Sequence, residues 1–306
     1  MIICIGESLV DIVGPRVQSG GCPYNTALAA ARAGAGAVMY LGRISSDEYG
    51  ALLLETLVES LVMFDPSLCC TQLPTAIARA QMAEDASVSY DFSLEGTAAL
   101  AADKDDYVRG LDLAPDADYL FCGSIALSDE RHRQVVVDAL TADGRPFIRF
   151  TDANVRPQLI ADMKGYLEFF ENYIRNSDIV RLSTEDAAAL YPGLDESALA
   201  RRFSDLGVRH FIYTKGAGGA SWHRNGGGTV SVPAIKAGIA DTIGCGDTFN
   251  GAVLCCLDQI GYAKSRSLDD AQIRRILEFA SRAAAVNATR PGCNPPTAEE
   301  IESLVP

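Results

Sequence analysis

Positive charge is scarce in this 306-residue chain. Its 26 lysines and arginines stand against 40 aspartates and glutamates, a formal net charge of −14. That balance argues against nucleic acid or an anionic membrane as the main partner, because either needs a basic surface. An anionic substrate must then be held by a few local donors, unless the acidity serves solubility alone. Histidine is scarce too: His132, His210 and His223 lie far apart and show no metal-ligand spacing. No apolar run reaches the roughly 20 residues needed to cross a bilayer. The nine cysteines (Cys4, Cys22, Cys69, Cys70, Cys122, Cys245, Cys255, Cys256 and Cys293) are odd in number and contain no CxxC pair. That argues against a disulfide scaffold and fits reduced thiols in a cytoplasmic protein. The opening MIICIGESLVDIVG lacks a basic leader and meets Glu7 and Asp11 early, so it reads as a first strand and not as a signal peptide. Two nucleotide signatures are also missing: there is no GxxxxGK[ST] loop, and no GxGxxG follows the first strand.

What is present is an apolar share of 48%, ample for a sizeable core. Residues 2–5 and 38–41 read as strands, residues 24–33 and 47–57 as helices. Between Pro74 and Phe92, TAIARAQMAEDASVSYDF alternates around a polar turn and predicts a hairpin. From Asp118 onward strand and helix signals alternate: YLFCGS, PFIRFTD, DIVRLS and RHFIYTKG are separated by helical stretches. Helices are predicted over 248–260, from 269 to about 287, and after Pro296. Such alternation implies an α/β fold with a mostly parallel central sheet and helices on both faces, the hairpin standing outside it. No repeat, low-complexity tract or long linker divides the chain, so residues 1–306 read as one domain.

The stretch DTIGCGDTFNGAVLCCL, residues 241–257, carries two glycines and two aspartates and then turns apolar. Phe249, Ala252, Val253, Cys256, Leu257 and Ile260 recur with helical period as one buried stripe. Gly244-Cys245-Gly246 therefore lies at a helix N-terminus, where unpaired N–H groups and the dipole favour an anion. Asp247 then has two readings. As an N-cap it would contribute about 1 kcal/mol. As a base beside an anion hole it would take a proton from a hydroxyl attacking a phosphate, which is the positioned chemistry that phosphoryl transfer needs. The N-cap alone requires neither the second glycine nor Asp241.

This stretch resembles the DTxGAGDxF signature of the pfkB (ribokinase-like) carbohydrate kinases, and supporting motifs follow in order along essentially the whole chain. GGCPYNTALAAARAG is similar to the family's GGxxxNxAxxxARLG, DANVRP to DxNxR, YTKGAGGAS to its nucleotide-side strand and glycine loop, and AAAVNATRPGCNPP to its closing GAxxxxP. TAIARAQMAEDASVSYDFSLEGTA and GSIALSD look most like the fructokinase branch. The resemblance implies a three-layer αβα sandwich with a small β-lid, its elements near 11–20 and 74–95. It implies ATP-dependent phosphorylation of a sugar primary hydroxyl, most often of fructose, with 2-keto-3-deoxygluconate, ribose or a non-catalytic binder as alternatives. Asp247 matches the base, the amides of Gly244, Cys245 and Gly246 the anion hole, and Arg156 and Asn154 residues near the phosphates. Asp11, Gly21, Asn25 and Asn154 match sugar-side positions. Thr214, Gly216 and Gly219 match the nucleotide loop, with Asn287 and Gly292 beside the adenine. Without the resemblance, Asn25 reads as a helix cap and Asp11 as a turn residue.

Three departures carry expectations of their own. Cysteines 245 and 293 replace family alanines, and Cys245 at a helix N-terminus is placed for a lowered pKa. The family's NxxE becomes STED, with Ser183 for the asparagine and Asp186 for the glutamate; Glu185 is adjacent, and either acid would order magnesium waters. Only eight residues separate Asp11 from Gly20, so the lid hairpin there is expected to be reduced, which leaves a lid-paired homodimer open. The loop of Asp241 is where the resemblance puts an effect of K+.

Overall fold

A computed structural model of the chain describes residues 1–69, 71–82 and 88–304, with 80–82 and 88–89 entering as backbone. Cys70 and the polar turn expected at the tip of the hairpin lie outside the described residues. In chain order the strands are β1 (Ile2–Ile5), β2 (Leu9–Val13), β3 (Arg16–Gly20), β4 (Val38–Leu41), β5 (Ile77–Met82), β6 (Val88–Ser93), β7 (Tyr119–Gly123), β8 (Ile148–Asp152), β9 (Ile179–Ser183), β10 (His210–Thr214), β11 (Ala220–Arg224) and β12 (Thr229–Val232). Eight of them form the central sheet in the order β12-β11-β10-β9-β8-β7-β1-β4. From β4 to β10 every pairing is parallel; β11 and β12 add an antiparallel edge.

The alternation of side chains explains why β1 is apolar throughout. Ile2 and Cys4 face one core, Ile3 and Ile5 the other, and all four are buried. A strand covered by helices on both faces has no solvent side to mark with polar residues. The first core is closed by the helices Cys22–Arg32, Cys245–Gln259 and Asp270–Ala288, the second by Lys104–Asp112, Glu130–Asp143, Met163–Ile174, Thr184–Leu190 and Glu196–Asp205. The predicted 248–260 helix begins three residues earlier, and its burial is wider than one stripe. Gly251, Leu254 and Cys255 are buried as well, while Ile260 is 41% exposed. This helix lies between two others, and at Gly251 the approach is so close that a Cβ would stand 2.5 Å from that of Ala29.

The remaining strands form a second sheet, β3-β2-β5-β6. The expectation of a reduced hairpin near residues 11–20 is corrected here. β2 and β3 pair over five residues each, with Val13 opposite Arg16, so only Gly14 and Pro15 make the turn. Eight residues suffice because a two-residue turn leaves the rest for the arms. Leu9, Ala76, Ala78, Leu94, Ala99 and Ile125 form a small separate core that seats this sheet on the body. Among the described residues no helix is long and apolar enough to cross a membrane.

Candidate active site

A cleft of about 580 Å³ opens at the C-terminal ends of the parallel strands, under the smaller sheet. Asp11, Gly21, Asn25, Asn154, Arg156, Gly244, Gly246 and Asp247 all line it, brought together from β2, the Cys22–Arg32 helix, the loop after β8 and the start of the Cys245–Gln259 helix. Tyr90, Phe92, Leu9 and Ile125 supply an apolar wall.

Neither of the local capping readings holds. The N-cap of the Cys245–Gln259 helix is Gly244, at φ 70°, with no side-chain cap, and Asp247 lies inside the first turn. Its Oδ2 accepts from Asn25 Nδ2 at 2.8 Å, across 222 residues of sequence. Asn25 likewise caps nothing, since its own helix starts at Gly21. Gly244 is required by its left-handed φ and by Cys293, whose side chain occupies the space a Cβ would need. Of the three amides expected in the anion hole, that of Cys245 makes a 3.3 Å turn bond to Thr242 O, and Cys245 is absent from the cleft lining. Its thiol faces Ala284 O and Asn287 instead, and burial raises its pKa, which corrects the expected lowering.

Sequence reasoning missed Arg181. The parallel register of β8 and β9 sets Asp152 opposite Arg181, and Arg181 Nη1 donates to Asp152 Oδ2 at 2.8 Å while Nη2 donates to Thr214 Oγ1 at 2.7 Å. Asn250 Nδ2 donates to the same Asp152 oxygen at 2.7 Å. The guanidinium is thus fixed, 7% exposed, directly under the helix mouth: a Cβ on Gly246 would stand 2.9 Å from Nη1. The available signal was a lone arginine in the apolar run DIVRLS, since a buried charge demands partners. Glu7 was missed also. Fully buried in the cleft wall, it accepts from the amides of Cys22 at 3.2 Å and Ala126 at 2.9 Å, tying two helix starts together.

The site is therefore rich in carboxylates held out of water. Burial raises the pKa of Asp247, opposed by its bonds to Asn25 and Cys22 and by the charges of Arg156 and Arg181. Burial and then the charge of Asp247 push Asp11 up to about 7, with Arg156 opposing. Glu7 is raised to about 7 by burial against its backbone donors, and Asp152 to about 6 by burial against Arg181. Arg156 is steered by its own loop: Nη1 donates to Asn154 Oδ1 at 2.6 Å, and Asn154 takes a positive φ of 35°.

The two candidate magnesium acids separate clearly. Asp186 is buried, and its oxygens accept from the amides of Val155 and Ser183 and from the Ser183 hydroxyl. Glu185 is exposed at the cleft edge, with its pKa lowered against burial by hydrogen bonds, its own amide first. The residues expected at the nucleotide lie outside the cleft lining. Thr214 ends β10 against Arg181, and Gly216 and Gly219 bound the tight turn before β11. Asn287 donates to Ile243 O at 2.8 Å and accepts from Asn294 N at 2.9 Å; Gly292 N donates to Asp241 Oδ2 at 2.9 Å. These two residues brace the 241–246 loop from behind.

A family model described as pfkB family carbohydrate kinase matches residues 4–300. The chain is 31% identical to a fructokinase of Rhizobium leguminosarum bv. trifolii over 286 residues, covering 90% of this chain and 86% of that one. It is 27% identical to a fructokinase of Escherichia coli over 313 residues, covering 98% and 97%. A crystal structure of fructokinase with bound ATP from Xylella fastidiosa superposes with a TM-score of 0.87 at 26% identity, over 99% of this chain and 97% of that one. With the family model spanning nearly its whole length and a curated relative above 30% identity, the chain belongs to the pfkB family of carbohydrate kinases.

Proposed function

We propose that this kinase transfers the γ-phosphoryl group of ATP to a primary hydroxyl of fructose, with Asp247 as the base. The observation that carries the reading is the meeting, in one cleft, of a buried carboxylate oriented by Asn25 with a helix mouth lined by Gly244, Gly246 and the fixed guanidinium of Arg181. Asp11, Asn154 and the wall of Tyr90 and Phe92 hold the sugar so that its hydroxyl reaches Asp247. Asp247 takes that proton as the new O–P bond forms and the bond from the γ-phosphorus to the β-phosphate oxygen breaks, releasing ADP. The amides of Gly244 and Gly246 and the cation of Arg181 stabilise charge on the phosphoryl oxygens, where preorganised donors act most strongly. Arg156 sits nearer the sugar, because it acts on Asp11, Glu7 and Asp247, whereas Arg181 acts on Asp152, Asp186 and Asp247.

The nucleotide would run from the helix mouth toward the turn before β11, where residues 216–218 are exposed and Gly219 is buried behind them. Glu185, free of the caps that occupy Asp186, is the acid fit to hold waters of a magnesium ion, which when bound with ATP neutralises phosphate charge. Asp241 braces its loop through Ile243 N and Gly292 N, so a K+ effect would act through that brace. The smaller sheet excludes water from the reacting groups. A homodimer paired through this sheet is part of the same reading.

The test is ADP release with MgATP across fructose, 2-keto-3-deoxygluconate, ribose and glucose, with Asp247→Asn beside the native chain. Turnover should be strongest with fructose and fall by about 10²–10⁴-fold in the variant. The native chain's acid limb should lie above the ordinary aspartate range, because Asp247 must be ionised and burial raises its pKa. Turnover confined to another sugar overturns the fructose assignment. Full activity in Asp247→Asn overturns the base.

A further inference from the structure

One group in the cleft enters that chemistry only through its bond to Asp247. Cys22, 4% exposed at the start of its helix, lies with its sulfur close to the carboxylates of Asp152 and Asp247; one ligand atom from each of the three falls within 4.8 Å of the others. Asp152 is 0% exposed, and among the described residues its Oδ1 has no hydrogen-bond partner; the same holds for Oδ1 of Asn250, whose amide nitrogen is spent on Asp152 Oδ2. A wholly buried carboxylate oxygen left without a donor is costly unless something positive reaches it. We propose that Cys22, Asp152 and Asp247 form a binding site for a thiophilic divalent cation, zinc by its chemistry, whose occupancy takes Asp247 away from the sugar hydroxyl.

The geometry suits such an ion. Zinc bonds of about 2.0–2.3 Å to oxygen and sulfur put ligand atoms roughly 3.3–3.8 Å apart, so small side-chain rotations close the present spacing. Charge closes as well. Asp152 and Asp247 carry two negative charges and Arg181 one positive, and a divalent ion with a Cys22 thiolate brings the four groups and the ion to neutrality. On binding, the S–H bond breaks, the sulfur lone pair goes to the metal and the proton leaves to the buffer; nothing is oxidised. Magnesium is a hard ion that takes oxygen ligands and keeps its waters, so the sulfur selects against it. The site is therefore distinct in chemistry from the exposed Glu185 edge. In the family pattern to which GGCPYN is similar, the position of Cys22 is not specified.

The experiment titrates the ligand-free full chain with Cd2+, reading the ultraviolet thiolate-to-metal band, and then competes with Zn2+. One saturable ion per chain is expected, displaced by Zn2+ and not by equal Mg2+. The band should vanish in Cys22→Ala and Cys22→Ser, persist in Cys245→Ser and Cys293→Ser, and need at least tenfold more Cd2+ in Asp247→Asn. A band that survives in folded Cys22→Ala, or an unchanged affinity in Asp247→Asn, overturns the site. The inhibitory half rests on the kinase reading and is tested separately. Zn2+ sensitivity, taken relative to each protein's own zinc-free rate, should fall at least tenfold in Cys22→Ala. Equal sensitivity refutes inhibition through this site while leaving the binding result intact.

Discussion

Gly246→Ala isolates the part of the machinery that sequence reasoning missed. The new Cβ would stand 2.9 Å from Arg181 Nη1, 3.2 Å from Nη2 and 3.4 Å from Cζ, where ordinary contacts begin near the last value. Arg181 cannot swing clear at low cost, because Asp152 and Thr214 hold both of its terminal nitrogens and it is buried in the sheet. Either the guanidinium or the helix start must therefore move by about 0.5–1 Å. A displacement of that size at a phosphoryl-stabilising group costs about 10²-fold in kcat, or roughly 2.7 kcal/mol of transition-state stabilisation. Folding should change little, since alanine gains up to ~1 kcal/mol of helix propensity over glycine and offsets the crowding. The assay is kcat and KM for sugar and ATP beside a thermal melt. A hundredfold fall in kcat with Tm within a few degrees is expected. A kcat within threefold of native, in a folded variant, refutes the placement of Arg181 on the transferring group.

Gly251→Ala should act on stability alone. Its Cβ would meet Ala29 Cβ at 2.5 Å and the Ala30 amide nitrogen at 2.6 Å, so about 1–3 kcal/mol is lost by overpacking, read as a lower urea midpoint. Asp11→Asn should stabilise the ligand-free chain in a pH-dependent way. The folded-state pKa of Asp11 is raised to about 7, so the native state keeps its proton longer than the unfolded chain does. The penalty is absent below about pH 4 and grows as pH rises to about 7. The variant's gain should thus be near zero at pH 4 and of order 2–4 kcal/mol at pH 8; a pH-independent difference contradicts it.

The layers of the fold were legible because they follow from alternation. Apolar runs such as YLFCGS and DIVRLS could only be strands covered on both faces, and their spacing left room for helices between them. The edge pair β11 and β12 was not legible, since its glycines read equally well as a loop. The β2–β3 hairpin failed for a related reason: arm length was judged without the two-residue turn at Gly14 and Pro15. At the site, the motifs located Asp247, Asn25 and Asp11, yet the bond from Asn25 to Asp247 spans 222 residues and no local pattern encodes it. Arg181 and Glu7 were hidden inside apolar stretches, and only the register of β8 on β9 reveals that Asp152 stands opposite Arg181.

The crowding of buried acids also fixes what sugar binding must do to protons. In the ligand-free cleft, Asp11 sits near its midpoint at neutral pH, held there by burial and by the charge of Asp247. A neutral sugar changes neither charge, but its hydroxyls are donors, and a carboxylate that gains donors favours its ionised form. Binding at pH 7 should therefore release a fraction of a proton from Asp11, whose raised pKa leaves it partly protonated there. The measurement is calorimetry of sugar binding in two buffers of different ionisation enthalpy, where the slope of apparent enthalpy counts protons exchanged. Release should shrink toward zero at pH 9, where Asp11 is already ionised, and should fall sharply in Asp11→Asn at pH 7. Glu7, also raised to about 7, accepts from no sugar hydroxyl while its oxygens are engaged by the amides of Cys22 and Ala126, so it contributes little to the difference. Buffer-independent heats at pH 7 would mean that the sugar never reaches Asp11, and the substrate side of the cleft would have to be reassigned.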